Sequence, residues 1–329
     1  MSHSNIAIFV PHLGCPHQCT FCNQKHITGQ AKMPTENDVQ FAVETALASK
    51  RFNSQNGEIA FFGGSFTAID KDYMLTLLSS AKKYVTSGLV SGIRISTRPD
   101  GISADILSLL KEYGVSAIEL GAQSMCDDVL LLNKRGHKAQ DVINASALIK
   151  DFDFELGLQM MTGLYGSTCE KDIFTTNEII KIKPATVRIY PTITLMNTEL
   201  STLYSNGNYT PQSLNSAVDL CANICEMFEN SNIKVIRLGL HSIEDGAFVA
   251  GPWHPAFKEL CDAKRFRDKL SKAITKQGKY EVFVSGRDLS KAIGQNRSNI
   301  KFFEEKNIHL KFTENSELGS FEFTIRDVK

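Results

Sequence analysis

Asn5-Ile-Ala-Ile-Phe9-Val-Pro-His-Leu-Gly-Cys15-Pro-His-Gln-Cys19-Thr-Phe21-Cys22-Asn23 sets a short apolar strand directly ahead of three closely spaced cysteines. Three thiolates in one tight loop suit three irons of a 4Fe–4S cube. The fourth iron then lacks a protein ligand, and an open coordination position is what a catalytic metal site needs. A zinc site completed by His12, His17 or His26 is the competing reading. No second C-x-x-C pair follows later in the chain. A disulfide framework does not fit: three cysteines crowd one loop, Met1-Ser-His-Ser is no targeting segment, and the chain is of enzyme size.

Outward from that loop, strand-like and helix-like segments alternate with α/β regularity. Apolar strands are expected at 5–11, 58–63, 92–97, 117–122, 153–160, 186–191 and 233–239. Helices are expected near 35–50, 70–86, 103–112, 138–150, 168–182 and 212–230, the first opened by Thr35 and Asp38 after Pro34. Repeated strand–helix units imply parallel strands with right-handed crossovers, and six or seven of them suggest a full or partial (β/α) barrel. Chemistry in such barrels sits at the C-terminal strand ends. The cysteine loop follows the first strand and obeys that rule.

At 329 residues and 42% hydrophobic, the chain can bury one large core plus a small extra module. No apolar run reaches the ~18 residues of a membrane span. Eight cysteines without a secretory signal point to reduced thiols and a cytoplasmic protein. The formal net charge of zero hides an asymmetry. From Lys264 to Lys311 there are 13 Lys/Arg against 5 Asp/Glu, a surplus of +8 that the rest of the chain must offset. Such a basic arm suits a polyanionic partner or forms a solvated helical face.

The C-x-x-x-C-x-x-C spacing, with Phe21 before the last cysteine, resembles the radical S-adenosylmethionine superfamily. The resemblance implies a 4Fe–4S cluster on Cys15, Cys19 and Cys22 whose open iron chelates S-adenosylmethionine. It implies cleavage of that cofactor to a 5′-deoxyadenosyl radical, and an electron donor such as a flavodoxin or ferredoxin. The protein then positions the cofactor and excludes water.

The other strand ends extend the resemblance. Gly63-Gly64-Ser65 closes the second strand, where glycines let backbone approach a ligand; in the family this segment contacts the cofactor's amino group. Arg98, in Ser96-Thr97-Arg98-Pro99-Asp100, is a ligand contact or an ion-pair partner of Asp100. Ile118-Glu119-Leu-Gly-Ala-Gln123-Ser124 and Lys134-Arg135-Gly-His137 resemble the radical domain of the elongator catalytic subunit and its short bacterial relatives, with oxygen-independent coproporphyrinogen oxidase more distant. By that likeness Gln123 and Arg135 contact the ribose and carboxylate of the cofactor. Gln159 stands where many relatives have Asp and can still hydrogen-bond ribose. Tyr165 replaces a proline and is a candidate to face substrate. Arg188 and Tyr190, in Val187-Arg-Ile-Tyr-Pro191, are the candidate catalytic residues at the substrate. Trp253 and His254 line a substrate mouth or form a packed turn. Cys221, Cys225 and Cys261 are read as small buried hydrophobes rather than an auxiliary cluster.

The barrel domain is assigned to 1–262 and a basic module to 263–329. In the latter a strand at 279–284, a helix at 288–293, a turn Gly294-Gln295-Asn296-Arg297, a helix at 298–306 and strands at 308–313 and 321–325 resemble a KH domain. Arg297 replaces the second glycine of the usual turn. Lys291, Lys301 and residues 294–297 are the expected RNA contacts. The expected function is modification of structured RNA, tRNA or rRNA, by a radical enzyme of no membrane association. The residues after 262 leave no room for the elongator subunit's acetyltransferase domain, so its product is not carried over. A radical enzyme on a small molecule such as a porphyrin precursor, and a non-catalytic RNA-binding protein with a cluster, are the competing classes.

Overall fold

Runs such as Gly57–Gly63 and Gly92–Thr97 are buried almost end to end, as parallel strands covered on both faces must be. This computed structural model describes residues 4–10, 15, 18–23, 32–50, 52–240, 243–244 and 246–328. His12, His17 and His26 lie outside the described residues. In chain order the elements are β1 Ser4–Val10, α1 Glu36–Leu47, β2 Gly57–Gly63, α2 Lys71–Thr86, β3 Gly92–Thr97 and α3 Ala104–Glu112. There follow β4 Val115–Gln123, α4 Asp127–Leu132, α5 Ala139–Asp151, β5 Glu155–Thr162, α6 Cys169–Ile182 and β6 Thr186–Pro191. The first unit is completed by β7 Thr194–Leu195, α7 Glu199–Ser205, β8 Lys234–Leu238 and β9 Phe248–Ala250.

Seven strands form one sheet in the order β1-β2-β3-β4-β5-β6-β8, every pair parallel. Among the described residues β1 and β8 have no sheet partner on their outer sides, so the sheet is an open, partial barrel rather than a full one. The crossover helices cover it with apolar stripes. In α2, Met74, Leu77, Leu78 and Ala81 recur at helical spacing and are buried; burying each leucine contributes roughly 1.5–3 kcal/mol. Starts are fixed by side chains. Thr35 and Asp38 make a reciprocal capping box on α1, with the Asp38 carboxylate accepting from Thr35 N at 2.7 Å, and Asp70 caps α2 by accepting from Tyr73 N at 3.0 Å.

The chain divides into two compact units, Met1–Gln212 with Phe228–Gly251, and Ser213–Met227 with Pro252–Lys329. The boundary passes through α8, Leu214–Asn230. The second unit holds α9 Phe257–Ala273, β10 Gly278–Val284, α10 Leu289–Ile293, α11 Ser298–Glu304, β11 Ile308–Glu314 and β12 Phe323–Val328. Its sheet runs β11-β10-β12, with β10 parallel to β11 and antiparallel to β12. Phe266 and Leu270 of α9 pack with Val282, Val284, Ala292, Phe303 and Leu310 in its core. His254 belongs to a packed turn ahead of α9, where its Nδ1 accepts from Ala256 N at 3.0 Å. The short helices α4 and α7, the long α9 and the β7–β9 pair are additions to the sequence reading, and the last strand lies at 323–328 rather than 321–325.

Candidate functional site

The cysteine loop is tied down from three directions. Thr20 donates its backbone N–H to Asn133 O at 3.3 Å and its hydroxyl to Asn133 Oδ1 at 2.8 Å. Asn133 in turn donates Nδ2 to Tyr165 O at 2.9 Å, joining the loop after α4 to the one after β5. Leu200 N of α7 donates to Thr20 O at 2.8 Å, and Asn23 Nδ2 to Met196 O at 3.1 Å. Cys22 N closes a turn on Cys19 O at 3.1 Å. Cys19 is buried, Cys22 and Phe21 are partly buried and Cys15 is exposed. The Cys15 thiol is nevertheless raised, first by burial of the sulfur and then by the neighbouring Cys19, while Arg98, the Ser65 backbone and Arg135 pull the other way.

Arg135 brings a cation into hydrogen-bond contact with one of these sulfurs. Its Nη1 donates to Cys19 Sγ at 3.1 Å and its Nη2 to Gly121 O at 2.7 Å. Arg98 forks onto Asp100, Nε to Oδ1 at 2.9 Å and Nη2 to Oδ2 at 3.0 Å, and Nη2 also donates to Arg135 O. The Arg98–Asp100 ion pair of the sequence reading is therefore formed. Ser65 is buried, its hydroxyl sharing a hydrogen bond with Thr97 Oγ1 at 2.9 Å and accepting from Arg98 N at 3.3 Å. Gly64 N donates to Val10 O at 2.8 Å. Gly63 takes φ +115°, and a Cβ there would stand 2.7 Å from Val10 O, so only glycine fits beside the strand that delivers the cysteines.

Four polar atoms in this region are buried without a partner among the described residues: Arg98 Nη1, Gln123 Oε1, Arg135 Nε and His137 Nδ1. Buried polar atoms are nearly always paired. Two arginine donors, an amide oxygen and a ring nitrogen left over beside the cysteine loop suit a ligand bearing carboxylate, amino and hydroxyl groups. Gln123 sits at φ +65° at the end of β4, which turns it out of the strand. His137 is held neutral, its pKa pushed down to about 4 by burial and then by the charges of Arg135 and Arg98. Among the described residues no three His, Cys, Asp or Glu side chains converge as a ready-made metal site. The three cysteines fall under that statement, as metal sites commonly assemble only with their metal, and so do Cys221, Cys225 and Cys261, which are buried together in the second unit.

Deeper in the sheet, Glu119 of β4 gathers two arginines and an amide from β6, β3 and β5. Arg188 forks onto it, Nε to Oε2 at 2.5 Å and Nη2 to Oε1 at 2.9 Å. Arg94 Nη1 lies 3.5 Å from Oε1 while donating to Glu58 at 2.7 Å and Glu155 at 2.8 Å. Gln159 donates Nε2 to Glu119 Oε2 at 3.0 Å and to Ser96 Oγ at 3.2 Å. Arg188 also stacks 4.7 Å above the Phe62 ring. Burial alone would lower the Arg188 pKa, but Tyr190 and Glu119 more than offset it, and burial raises the Tyr190 phenol. Arg188 is thus spoken for by Glu119, whereas Tyr190 is partly buried one step nearer the strand end. Tyr165 is partly buried and packs edge-on against Tyr209 with ring centres 6.2 Å apart.

Glu119, Asn133 and His137 carry much of this geometry without having been singled out from sequence. The signal was present for Glu119 and Arg94: each is a lone charge in an apolar strand run, and a charge so buried has to find a partner. Asn133 had no such signal, since its role is to bridge two loops. In the second unit, Gln295, Asn296, Arg297 and Lys301 are exposed, Gly294 is buried, and Lys291 is held by Asp288 at 2.5 Å.

The family model of the Radical SAM superfamily matches residues 9–174, and that of the Radical_SAM C-terminal domain matches 184–267. A tRNA uridine(34) acetyltransferase of Dehalococcoides mccartyi is 25% identical over 252 residues, 67% of this chain and 55% of that protein. The chain therefore spans little more than half the length of that relative. An uncharacterized protein of Methanocaldococcus jannaschii is 25% identical over 283 residues, 81% of this chain and 84% of that one. The solved structure of archaeal Methanocaldococcus infernus Elp3 superposes with a TM-score of 0.66 at 22% identity, over 82% of this chain and 63% of that one, and shares its fold. Three cysteines behind β1, unpaired polar atoms at the ends of β3 and β4, and a family model over half the chain agree: this is an enzyme of the radical S-adenosylmethionine superfamily, with a 4Fe–4S cluster and S-adenosylmethionine as its cofactors.

Proposed function

We propose that this enzyme modifies a structured RNA, tRNA or rRNA, at the open face of the sheet. When bound, the cluster and S-adenosylmethionine supply one-electron cleavage to a 5′-deoxyadenosyl radical that takes a hydrogen atom from substrate. The chain's own residues do the positioning. Cys15, Cys19 and Cys22 hold the cluster. Arg135 and Arg98 place positive charge beside its sulfurs, and the orphaned atoms of Gln123, Arg98 and Arg135 receive the polar groups of the nucleoside and methionine. Gly63, Gly64 and Ser65 keep backbone close to the cysteine strand, and Gln159 presents an amide on the same sheet face.

The observation that carries the RNA reading is the surface of the second unit. Phe302 is partly exposed between Lys306, 4.1 Å from its ring, and Arg267 at 4.9 Å. Phe321 gathers Arg265 at 3.9 Å, Lys291 at 5.3 Å and Lys269 at 5.5 Å. Arg267, Lys269, Lys272, Arg297, Lys301 and Lys306 have no carboxylate partner among the described residues. Aromatic rings beside cations suit a strand of bases and phosphates. At Phe321, Arg265 and Lys291 are already paired with Asp262 and Asp288, and Lys269 alone of its three cations has no carboxylate partner among the described residues. The strand–helix–turn–helix–strand order, with Gly294 at φ +78°, supports a KH-like reading in which the 294–297 turn faces the backbone. The relative named as a tRNA uridine(34) acetyltransferase supports the same substrate class. A cytoplasmic location and a flavodoxin or ferredoxin as electron donor belong to this reading; among the described residues no helix is long and apolar enough to cross a membrane. The test is anaerobic turnover of the reconstituted enzyme with bulk tRNA or rRNA. The reading expects 5′-deoxyadenosine to form several-fold faster with one of them than without RNA, and equal rates contradict it.

A further inference from the structure

Arg237 of β8 is the register partner of Arg188 on β6, so two guanidinium groups start side by side on the last two strands of the open sheet. Adjacent residues of paired strands present their side chains on one face. Tyr190 lies two residues beyond Arg188 on that same face, close enough for both arginine charges to act on its phenol. The two arginines are served unequally. Glu119 takes Arg188 with both carboxylate oxygens. Arg237 donates Nε to Gly239 O at 3.1 Å, and its two terminal amino groups have no partner among the described residues. It is half-buried; burial lowers its pKa, Tyr190 pulls it partly back up, and the Arg188 charge lowers it again.

A cation held beside another cation with no carboxylate of its own costs stability, and such costs are retained where a ligand repays them. β8 is an edge strand among the described residues, and Arg237 stands one residue before its C-terminal end, on the side of the sheet where barrel chemistry sits. A planar guanidinium with free terminal amino groups is built to take two oxygens of one anion.

We propose that Arg237 is the anion-recognition residue for the substrate: it takes a pair of oxygens, from a phosphodiester or a carboxylate, and holds that group beside Tyr190 at the open edge of the sheet. This names the chemistry of one substrate group and does not depend on the substrate being RNA. A phosphate-selective site deepens the RNA reading, and a carboxylate-selective one fits a small acid.

The experiment compares thermal unfolding of the cluster-loaded wild type, Arg237→Gln and Arg237→Lys in chloride, phosphate or malonate at equal ionic strength. The expected result is a rise in the wild-type midpoint in phosphate, malonate or both, lost in Arg237→Gln and kept in part by Arg237→Lys. In chloride, Arg237→Gln should be at least as stable as wild type, because it removes a like charge next to Arg188. A rise in phosphate alone assigns a nucleotide phosphate, one in malonate alone assigns a carboxylate, and equal rises support the shared chemistry. The proposal is overturned by equal increments in wild type and Arg237→Gln, by no increment in wild type, or by an Arg237→Gln variant less stable in chloride, the mark of a structural arginine. Failure of the RNA reading shows separately, as turnover indifferent to tRNA and rRNA.

Discussion

Arg135 Nη1 donates a hydrogen bond to Cys19 Sγ at 3.1 Å across 116 residues of sequence. The bond links the loop after α4 to the cysteine loop after β1 and puts a permanent positive charge on a cysteine proposed to hold the cluster. Hydrogen bonds to cluster sulfur and nearby net charge both tune reduction potential. Removing this donor should make the cluster harder to reduce. Arg135→Gln is expected to lower the midpoint potential by tens of millivolts in a redox titration followed by electron paramagnetic resonance. An unchanged midpoint with full cluster content would show that the bond is absent in the loaded enzyme.

Glu119 is the common acceptor for Arg188, Gln159 and, more distantly, Arg94. Taking one charge out of a buried network leaves the others uncompensated, at about 3–5 kcal/mol. Glu119→Ala should lose stability on that scale in denaturant unfolding, and pairing it with Arg188→Met should recover part of the loss. If the double variant falls by the sum of its single losses, the two residues do not act as a pair.

His137 gives the fold a dependence on pH. Its folded pKa, about 4, lies below its ordinary value of 6.5, so the depressed group contributes stability that is fully present above pH 6.5. Between 6.5 and 4 the unfolded chain binds a proton that the folded chain refuses, and the contribution is lost as pH falls through that window. Its full size is on the order of 3 kcal/mol. Stability of wild type should therefore decline more steeply from pH 6.5 to 4 than that of His137→Asn. Parallel slopes would place the imidazole in water.

Asn296 and Arg297 both adopt left-handed backbone, at φ 53° and 60°. Each such non-glycine residue costs roughly 1–2 kcal/mol, so an arginine at this exposed corner is bought at some strain. Arg297→Gly should be neutral or stabilising by up to about 1 kcal/mol, yet bind tRNA less well. Arg297→Glu should weaken tRNA binding by roughly tenfold and flatten its salt dependence by about one phosphate contact. Filter binding over a salt series measures both, and an unchanged affinity of Arg297→Glu removes the turn from the RNA surface.

Much of the architecture is legible in the chain because the signals are local. Apolar runs between helix-like segments placed all seven parallel strands, and Thr35 with Asp38 marked the start of α1. The cysteine loop is legible for the same reason, its ligands falling within one short stretch. What sequence conceals is pairing across distance. Arg188 was legible as a charge near a strand end, while its partner Glu119, 69 residues away and two strands over, was not. Arg98 was readable either way, and both readings stay open: it forks onto Asp100, two residues on, while its Nη1 is buried without a partner among the described residues. The α4 and α7 helices escaped because each is too short to show a period.

The central claim is that the Cys15–Cys22 centre acts on RNA in the cell. Mass spectrometry of nucleosides from total tRNA and rRNA, in cells with and without this gene, tests it most directly. The account expects one modified nucleoside to vanish with the gene and to return with the wild-type chain but not with Cys19→Ala. An unchanged nucleoside profile under conditions where the protein is expressed would contradict it.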